Sequence, residues 1–218
     1  SERRIFENFD RITLFSKKEI KKIDKKYKNK IYKVDWSVEK VVNNFFYSPK
    51  KSKVLFIGNL GYLPNIIACK YFIRKILPKL ELEIPDFKLT IIGNINNLDR
   101  IFLSRNKNVE ILGPKKNLKK FIRNAFCGLA NLSIATGVQS KVLTYMSNGL
   151  PVICHSKVAV NFGNNVLKYR QDKDLIQKLI LLKSEKKLSQ KYSKMSIKFS
   201  KNFIWKKIKL KYLELFNF

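Results

Sequence analysis

One segment combines residue types and spacing suited to gripping an anion. It runs Ala135, Thr136, Gly137, Val138, Gln139, Ser140, Lys141, then through Thr144 to Gly149 and Pro151. An apolar strand, a glycine turn and a helix start leave the backbone N–H groups of residues 137–140 without intrahelical partners. The helix dipole adds positive potential at that end. Gly137 lacks a Cβ, so a ligand can approach the backbone closely, and Lys141 adds a full charge. The same residues also fit an ordinary β–α turn with a solvent-facing lysine.

Other chemistry in the chain is thinner. Gly58 and Gly61 share a loop with Asn59 and Asn65, but the third glycine and the downstream acid of a dinucleotide fingerprint are missing. Asp172 and Asp174 have the spacing of a metal-binding pair, yet they open a helix, where Asp caps the backbone; no metal site is assigned. His155 follows a strand at the edge where ligands bind, and it equally suits a loop histidine with a local hydrogen bond. With one histidine in the chain no Ser-His-acid or Cys-His system can be assembled, so no catalytic residue is assigned. The three cysteines, Cys69, Cys127 and Cys154, have no close spacing and give neither a disulfide framework nor a zinc site. A reducing, cytoplasmic compartment is expected.

The elements that position these residues alternate from end to end. Short β-like runs at 11–15 and 30–34 flank a charged helix at 17–28, and 35–53 reads as a connector. Apolar strands are expected at 54–57, 88–92, 109–112, 129–135 and 151–154, with a sixth at 166–168. The first three end at Gly58, Gly93 and Gly113. Helices are expected at 64–80, opened by Pro64, at 98–106, 118–125 and 141–148, the last stopped by Gly149, and from Asp172 to residue 182. A long basic helical segment closes the chain, with Ile197, Ile204, Ile208, Tyr212 and Leu215 at helical spacing. Short apolar strands each followed by a helix predict a parallel sheet covered on both faces, an α/β Rossmann-like doubly wound fold. Ligands of such sheets sit outside the carboxyl ends of the strands. That singles out the loops 58–64, 93–97, 113–116, 136–141 and 155–160.

Composition sets the outer limits. The 218 residues are 45% hydrophobic, and 46 Lys+Arg against 16 Asp+Glu give a net charge of +30. That much apolar content excludes a disordered polyelectrolyte, and no apolar run reaches the ~20 residues of a membrane span. The length suggests one or two domains. The first residue is Ser1, and its surroundings read as mid-protein helix, so the expectation is a chain begun inside a longer protein or trimmed. The basic residues divide into 38 Lys and 8 Arg, a bias that an AT-rich genome also produces. Whatever its origin, the charge attracts phosphate-rich partners, whether sugar nucleotide, anionic lipid or nucleic acid.

The segment Gly137, Val138, Gln139, Ser140, Lys141, Val142, Leu143, Thr144 with Gly149-Leu150-Pro151-Val152 resembles the nucleotide-sugar motif of retaining GT-B glycosyltransferases of the group 1 type. The run Val54-Leu55-Phe56-Ile57-Gly58-Asn59-Leu60-Gly61-Tyr62-Leu63-Pro64-Asn65 is similar to the first strand and loop of that family's C-terminal domain. Residues 89–93, 109–113 and Phe203-Ile204-Trp205 follow in order, and residues 1–35 resemble the end of the N-terminal domain. The resemblance implies residues 1–50 as that end and a linker, 51–190 as the nucleotide-sugar-binding domain, and 191–218 as a basic C-terminal segment crossing back.

Carried over residue by residue, the resemblance places Gly58, Asn59, Gly61 and Asn65 beside the diphosphate and the acceptor cleft. It places Gly113 and Lys115, with Lys116, near the base, and Thr136, Gly137, Val138, Gln139, Lys141 and Thr144 around the nucleotide. Thr136 and Thr144 stand where the family usually has two glutamates, and a hydroxyl lacks the charge-assisted strength of a carboxylate. The first loop has no basic residue before Lys70, where many members have an Arg and a Lys. The implied function is transfer of a sugar from a nucleotide diphosphate sugar to a saccharide or lipid-linked acceptor in envelope polysaccharide assembly. No cofactor is implied beyond that donor. The implied partners are the N-terminal domain in cis or trans and an anionic membrane surface on the cytoplasmic side. The alternative is a non-catalytic scaffold or partner subunit with an eroded donor site. A specific nucleic-acid binder is not favoured, because arginine is scarce and no nucleic-acid module is present.

Overall fold

The computed structural model describes residues 2–45, 47–134 and 139–216. The chain opens with helix α1 (Glu2–Asn8), strand β1 (Ile12–Leu14), a short helix α2 (Lys17–Ile20), a 3-10 turn (Lys25–Lys30) and strand β2 (Ile31–Lys33). β1 and β2 pair in parallel. The charged helix expected over 17–28 therefore stops at Ile20, and Asp24 caps the 3-10 turn by accepting from the Lys26 N–H. The connector then clips onto the main unit: Val42 N–H donates to the Ser147 carbonyl, and Val38 pairs with Ile204.

The main unit runs β3 (Lys53–Ile57), α3 (Leu63–Tyr71), a π-turn (Phe72–Ile76), α4 (Leu77–Glu83), β4 (Lys88–Ile92), α5 (Asn97–Ser104), β5 (Val109–Leu112) and α6 (Lys119–Asn124). It continues through β6 (Ala125–Ala130), α7 (Ser140–Ser147), β7 (Val152–His155), α8 (Ser156–Ala159), β8 (Leu167–Tyr169) and α9 (Asp172–Ser184). Helices α10 (Lys186–Ser200) and α11 (Trp205–Phe216) follow. Among the described residues, six strands form one sheet in the order β5-β4-β3-β6-β7-β8, every pairing parallel. The fold is the expected Rossmann-like doubly wound one. Phe56, Phe72, Phe87, Phe126 and Tyr145 lie fully buried in the layers between sheet and helices.

Three boundaries differ from expectation, each for a physical reason. The helix expected over 64–80 is interrupted by the π-turn just before Pro78. Proline has no N–H to donate and its ring clashes with the carbonyl four residues back, so the helix widens there. The fourth strand is not 129–135 but Ala125–Ala130, and the helix before it ends at Asn124. Gly128 lies inside that strand because a Cβ there would come within 2.5 Å of the Tyr145 ring; the glycine makes room for an aromatic side chain. Asp172 does not cap α9. It is the helix's first residue, Gln171 is the cap, and Asp172 accepts a hydrogen bond from the Tyr71 hydroxyl. Gly149 ends α7 as expected, at φ +70°.

The basic C-terminal stretch is two helices joined by a turn at Lys201–Phe203. Ile197 of α10 and Ile208 and Leu215 of α11 are buried, so the apolar stripe packs on the protein. The inward face of α10 is made of Ser189, Ser193, Ser196 and Ser200, all buried. Small side chains let it lie close against α7.

Candidate functional site

In the observed order the chain leaves β3 for β4 and β5 on one side, then returns to add β6 on the other. The strand order reverses between β3 and β6, and ligands of doubly wound sheets bind beyond the carboxyl ends of the strands at such a point. The two loops that flank it are the one after β3, carrying Gly58 to Asn65, and the one leading into α7.

The loop after β3 is held rigidly. Gly58 N–H donates to the Ile92 carbonyl (2.9 Å) and Leu60 N–H to the Asn94 carbonyl (2.7 Å), so pairing with the next loop continues past the strand ends. Gly93, at φ +151°, permits this, since a Cβ there would stand 1.9 Å from the Gly58 carbonyl oxygen. Asn59 Oδ1 accepts from Gly61 N–H (3.0 Å), and Asn65 Nδ2 donates to the Asn59 carbonyl (2.8 Å).

Lys141, in the first turn of α7, does not face solvent. It is 8% exposed. Its Nζ donates to Asn65 Oδ1 (2.7 Å) and lies 4.0 Å from the centre of the Phe56 ring. A Cβ on Gly58 would be only 2.9 Å from Nζ and from Asn65 Nδ2. No carboxylate forms an ion pair with Lys141 among the described residues. Burial lowers its pKa from the ordinary 10.5 to about 8, opposed by the neighbouring Cys69 and Cys154 thiols. At pH 7 it remains an ammonium. A buried cation is normally paired with an anion; here an amide oxygen and an aromatic face stand in for one.

Tyr145, one helical turn further on, accepts the Ile57 N–H on its phenol oxygen (2.6 Å) and ties α7 to the end of β3. Thr144 is half-buried, and its hydroxyl donates back to the Ser140 carbonyl (3.2 Å). Gln139 precedes α7 in extended conformation without capping it through its side chain. Thr136, Gly137 and Val138 lie outside the described residues. The structure thus brings Gly58, Asn59, Gly61, Asn65 and Lys141 into one cluster, with Gln139 just before the helix that carries Lys141 and Thr144 on it.

Gly113 and Lys115 are not part of that cluster. They leave β5, at the sheet's edge, two strands from β3. A Cβ on Gly113 would meet nothing within 4 Å, and Lys115 and Lys116 are exposed. His155 caps α8, its Nδ1 accepting from Lys157 N–H (3.3 Å), and stacks edge-on with Tyr169. Asp174 pairs with Lys178. No group of three or more His, Cys, Asp or Glu stands together as a metal site among the described residues. The cysteines are free and buried, and burial pushes their thiol pKa values up. A cavity of about 540 Å³, lined by none of Gly58, Asn59, Gly61, Asn65 and Lys141, lies between the stacked Phe15–Trp36 pair and Leu143, Val160 and Phe162.

Sequence reasoning assigned no role to Phe56, Gly128 or Tyr145, and marked Gly93 only as the end of a strand and the start of a candidate loop. The strand expected from Leu129 begins instead at Ala125 and includes Gly128.

A family model described as glycosyl transferases group 1 matches residues 51–184. The chain belongs to the glycosyl transferases group 1 family. No curated protein sequence matches it. Among solved structures it resembles TarM (TM-score 0.77, 14% identity), covering 100% of this chain and 46% of that one. It also resembles Anabaena Alr3699/HepE in complex with UDP and glucose (TM-score 0.75, 10% identity, 95% and 62%). A third is a glycosyltransferase from Rickettsia africae (TM-score 0.73, 13% identity, 94% and 62%). At these identities the likeness is one of fold, the GT-B Rossmann-like fold. This group 1 chain spans about half the length of TarM and less than two thirds of the other two. The family's reaction is sugar transfer.

Proposed function

We propose that the chain is the donor-binding half of a GT-B glycosyltransferase that moves a sugar from a nucleoside diphosphate sugar to a saccharide or lipid-linked acceptor. The observation that carries this reading is Lys141, a buried ammonium at the switch point of the sheet with no carboxylate partner among the described residues. An ammonium has three donors, and Asn65 takes one. A diphosphate at the same rim would meet the remaining positive charge together with the positive end of the α7 dipole. In transfer, the bond from the sugar's anomeric carbon to the diphosphate oxygen breaks, the bond to the acceptor oxygen forms, and the acceptor's proton leaves. Negative charge grows on the departing diphosphate, and preorganised donors aimed there lower the barrier. The scheme uses no metal. UDP is the first ligand to try, since HepE was crystallised with it.

The same reading assigns residues 51–190 to the donor domain, 1–50 to the end of a preceding domain and its linker, and 191–218 to a basic C-terminal segment. The N-terminal GT-B domain, in cis or trans, supplies the acceptor side. The setting is envelope polysaccharide assembly in the cytoplasm, at the inner face of the membrane. No helix among the described residues is long and apolar enough to cross a membrane, so attachment would be peripheral.

One observation favours the non-catalytic scaffold instead: Thr144, where the family usually has a ribose-binding glutamate, donates its hydroxyl hydrogen to the Ser140 carbonyl and offers a ribose only a neutral acceptor. A thermal-shift titration with UDP separates the two. Saturable stabilisation that disappears in Gly137→Asp supports the transferase, whereas a flat response to every nucleoside diphosphate leaves only the scaffold.

A further inference from the structure

The outer face of α10 presents Lys187, Lys191, Lys194 and Lys198, continued by Lys201 in the following turn, all exposed. Steps of four and three residues keep them on one side of a helix, opposite the buried serines that seat α10 against α7. The row is about 21 Å long at 1.5 Å per residue. None of the five pairs with a carboxylate among the described residues, and the sequence has no acidic residue from Lys186 to Leu213. Like charges in line repel, and no ion pair among the described residues offsets them.

We infer that this face is a docking surface for an anionic lipid bilayer. Three observations choose lipid over nucleic acid. A straight row of point charges suits a flat array of headgroups. The last arginine in the chain is Arg170, and no exposed aromatic lies on α10, so the lysine row itself carries no group that reads phosphate forks or stacks on bases. Then α11 adds exposed Trp205, Leu210 and Leu213 beside exposed Lys206 and Lys209, the residue types that settle at a membrane interface. Each lysine near an anionic surface strengthens partition about fivefold, and the attraction fades beyond the Debye length. The inference deepens only the membrane part of the proposed function and does not rest on the nucleotide site.

The test is co-sedimentation of the protein with vesicles of phosphatidylcholine alone, or with about a third phosphatidylglycerol. Wild type should partition onto the anionic vesicles and come off in about 0.5 M salt. K187Q/K191Q/K194Q/K198Q, which keeps helix propensity, should lose on the order of 10²–10³-fold in partition. A control of equal charge change, K22Q/K25Q/K26Q/K28Q, all exposed, should lose less than tenfold. Wild type indifferent to phosphatidylglycerol, or equal losses in both variants, would overturn the inference. So would ladder-dependent binding of a generic RNA oligomer without vesicle partition. Melting temperature with and without UDP, read in the same variants, keeps the outcome separate from that of the donor site: the ladder variant should respond to UDP as wild type does.

Discussion

Two loops leave the carboxyl edge of one sheet with similar wording, a glycine followed within four residues by lysine, and reach opposite environments. The loop after β5 carries Gly113, Lys115 and Lys116; the glycine has open space around it and the lysines are exposed. The loop into α7 leads to Lys141, which is buried against Phe56 and Asn65. β5 is an edge strand, so its loop is flanked on one side only. β6 adjoins β3 at the reversal of the sheet, and side chains from β3, α3 and α7 close over whatever points inward there. A lysine's role is decided by how many neighbouring elements remove it from water.

The sharpest break in this contrast is at the glycines. Gly93→Ala forces a Cβ onto the Gly58 carbonyl at a positive φ and should cost about 3 kcal/mol in urea unfolding. Gly113→Ala should change stability by less than about 0.5 kcal/mol.

Lys141→Met should weaken UDP binding by about a hundredfold, read by calorimetry, because it removes a desolvated charge facing the ligand. K115Q/K116Q should cost only a few-fold and be erased by salt. The same Lys141→Met should raise stability at pH 7 by on the order of 1–3 kcal/mol, because wild type holds a buried ammonium at a penalty.

The sign with pH is fixed by the direction of the shift. The folded pKa, about 8, lies below the ordinary 10.5, so between these values the unfolded chain binds more protons and wild-type stability rises with pH. Below about pH 8 the penalty is present in full, and Lys141→Met should lose its advantage across that window. UDP affinity of wild type should fall as pH passes about 8. Flat profiles would mean that Lys141 is not desolvated.

Tyr145→Phe leaves the Ile57 N–H without its acceptor and should destabilise by about 1–2 kcal/mol. Thr144→Val, which removes only a back-bonded hydroxyl, should cost less than about 0.5 kcal/mol.

Much of the framework was legible from residue order. The strand ends at Gly58, Gly93 and Gly113, the stop at Gly149 and the start at Pro64 all act through their own backbone or their immediate neighbours. The errors came where a residue's meaning depended on something distant. The fourth strand is expected to begin at Leu129, yet it starts at Ala125 and takes in Gly128, whose place is set by the Tyr145 ring lying over it. The helix after Pro64 reads as continuous, although a π-turn precedes Pro78. Of the candidate site, the Gly58–Asn65 loop and Lys141 were named from the sequence. Their convergence was not visible there, nor was the distance of Gly113 and Lys115 from them.

Residue order sets the alternation of strand and helix, and so the parallel sheet, because hydrophobic period and glycine or proline punctuation act over a few residues. The return of β6 beside β3, the meeting of Asn65 with Lys141 across 76 positions and that of Ile57 with Tyr145 across 88 exist in the folded chain alone. Burial, and with it the charge state and reach of Lys141, is a property of neighbours that chain order does not specify. Desolvation belongs to a place in space, and several remote segments must arrive before that place exists.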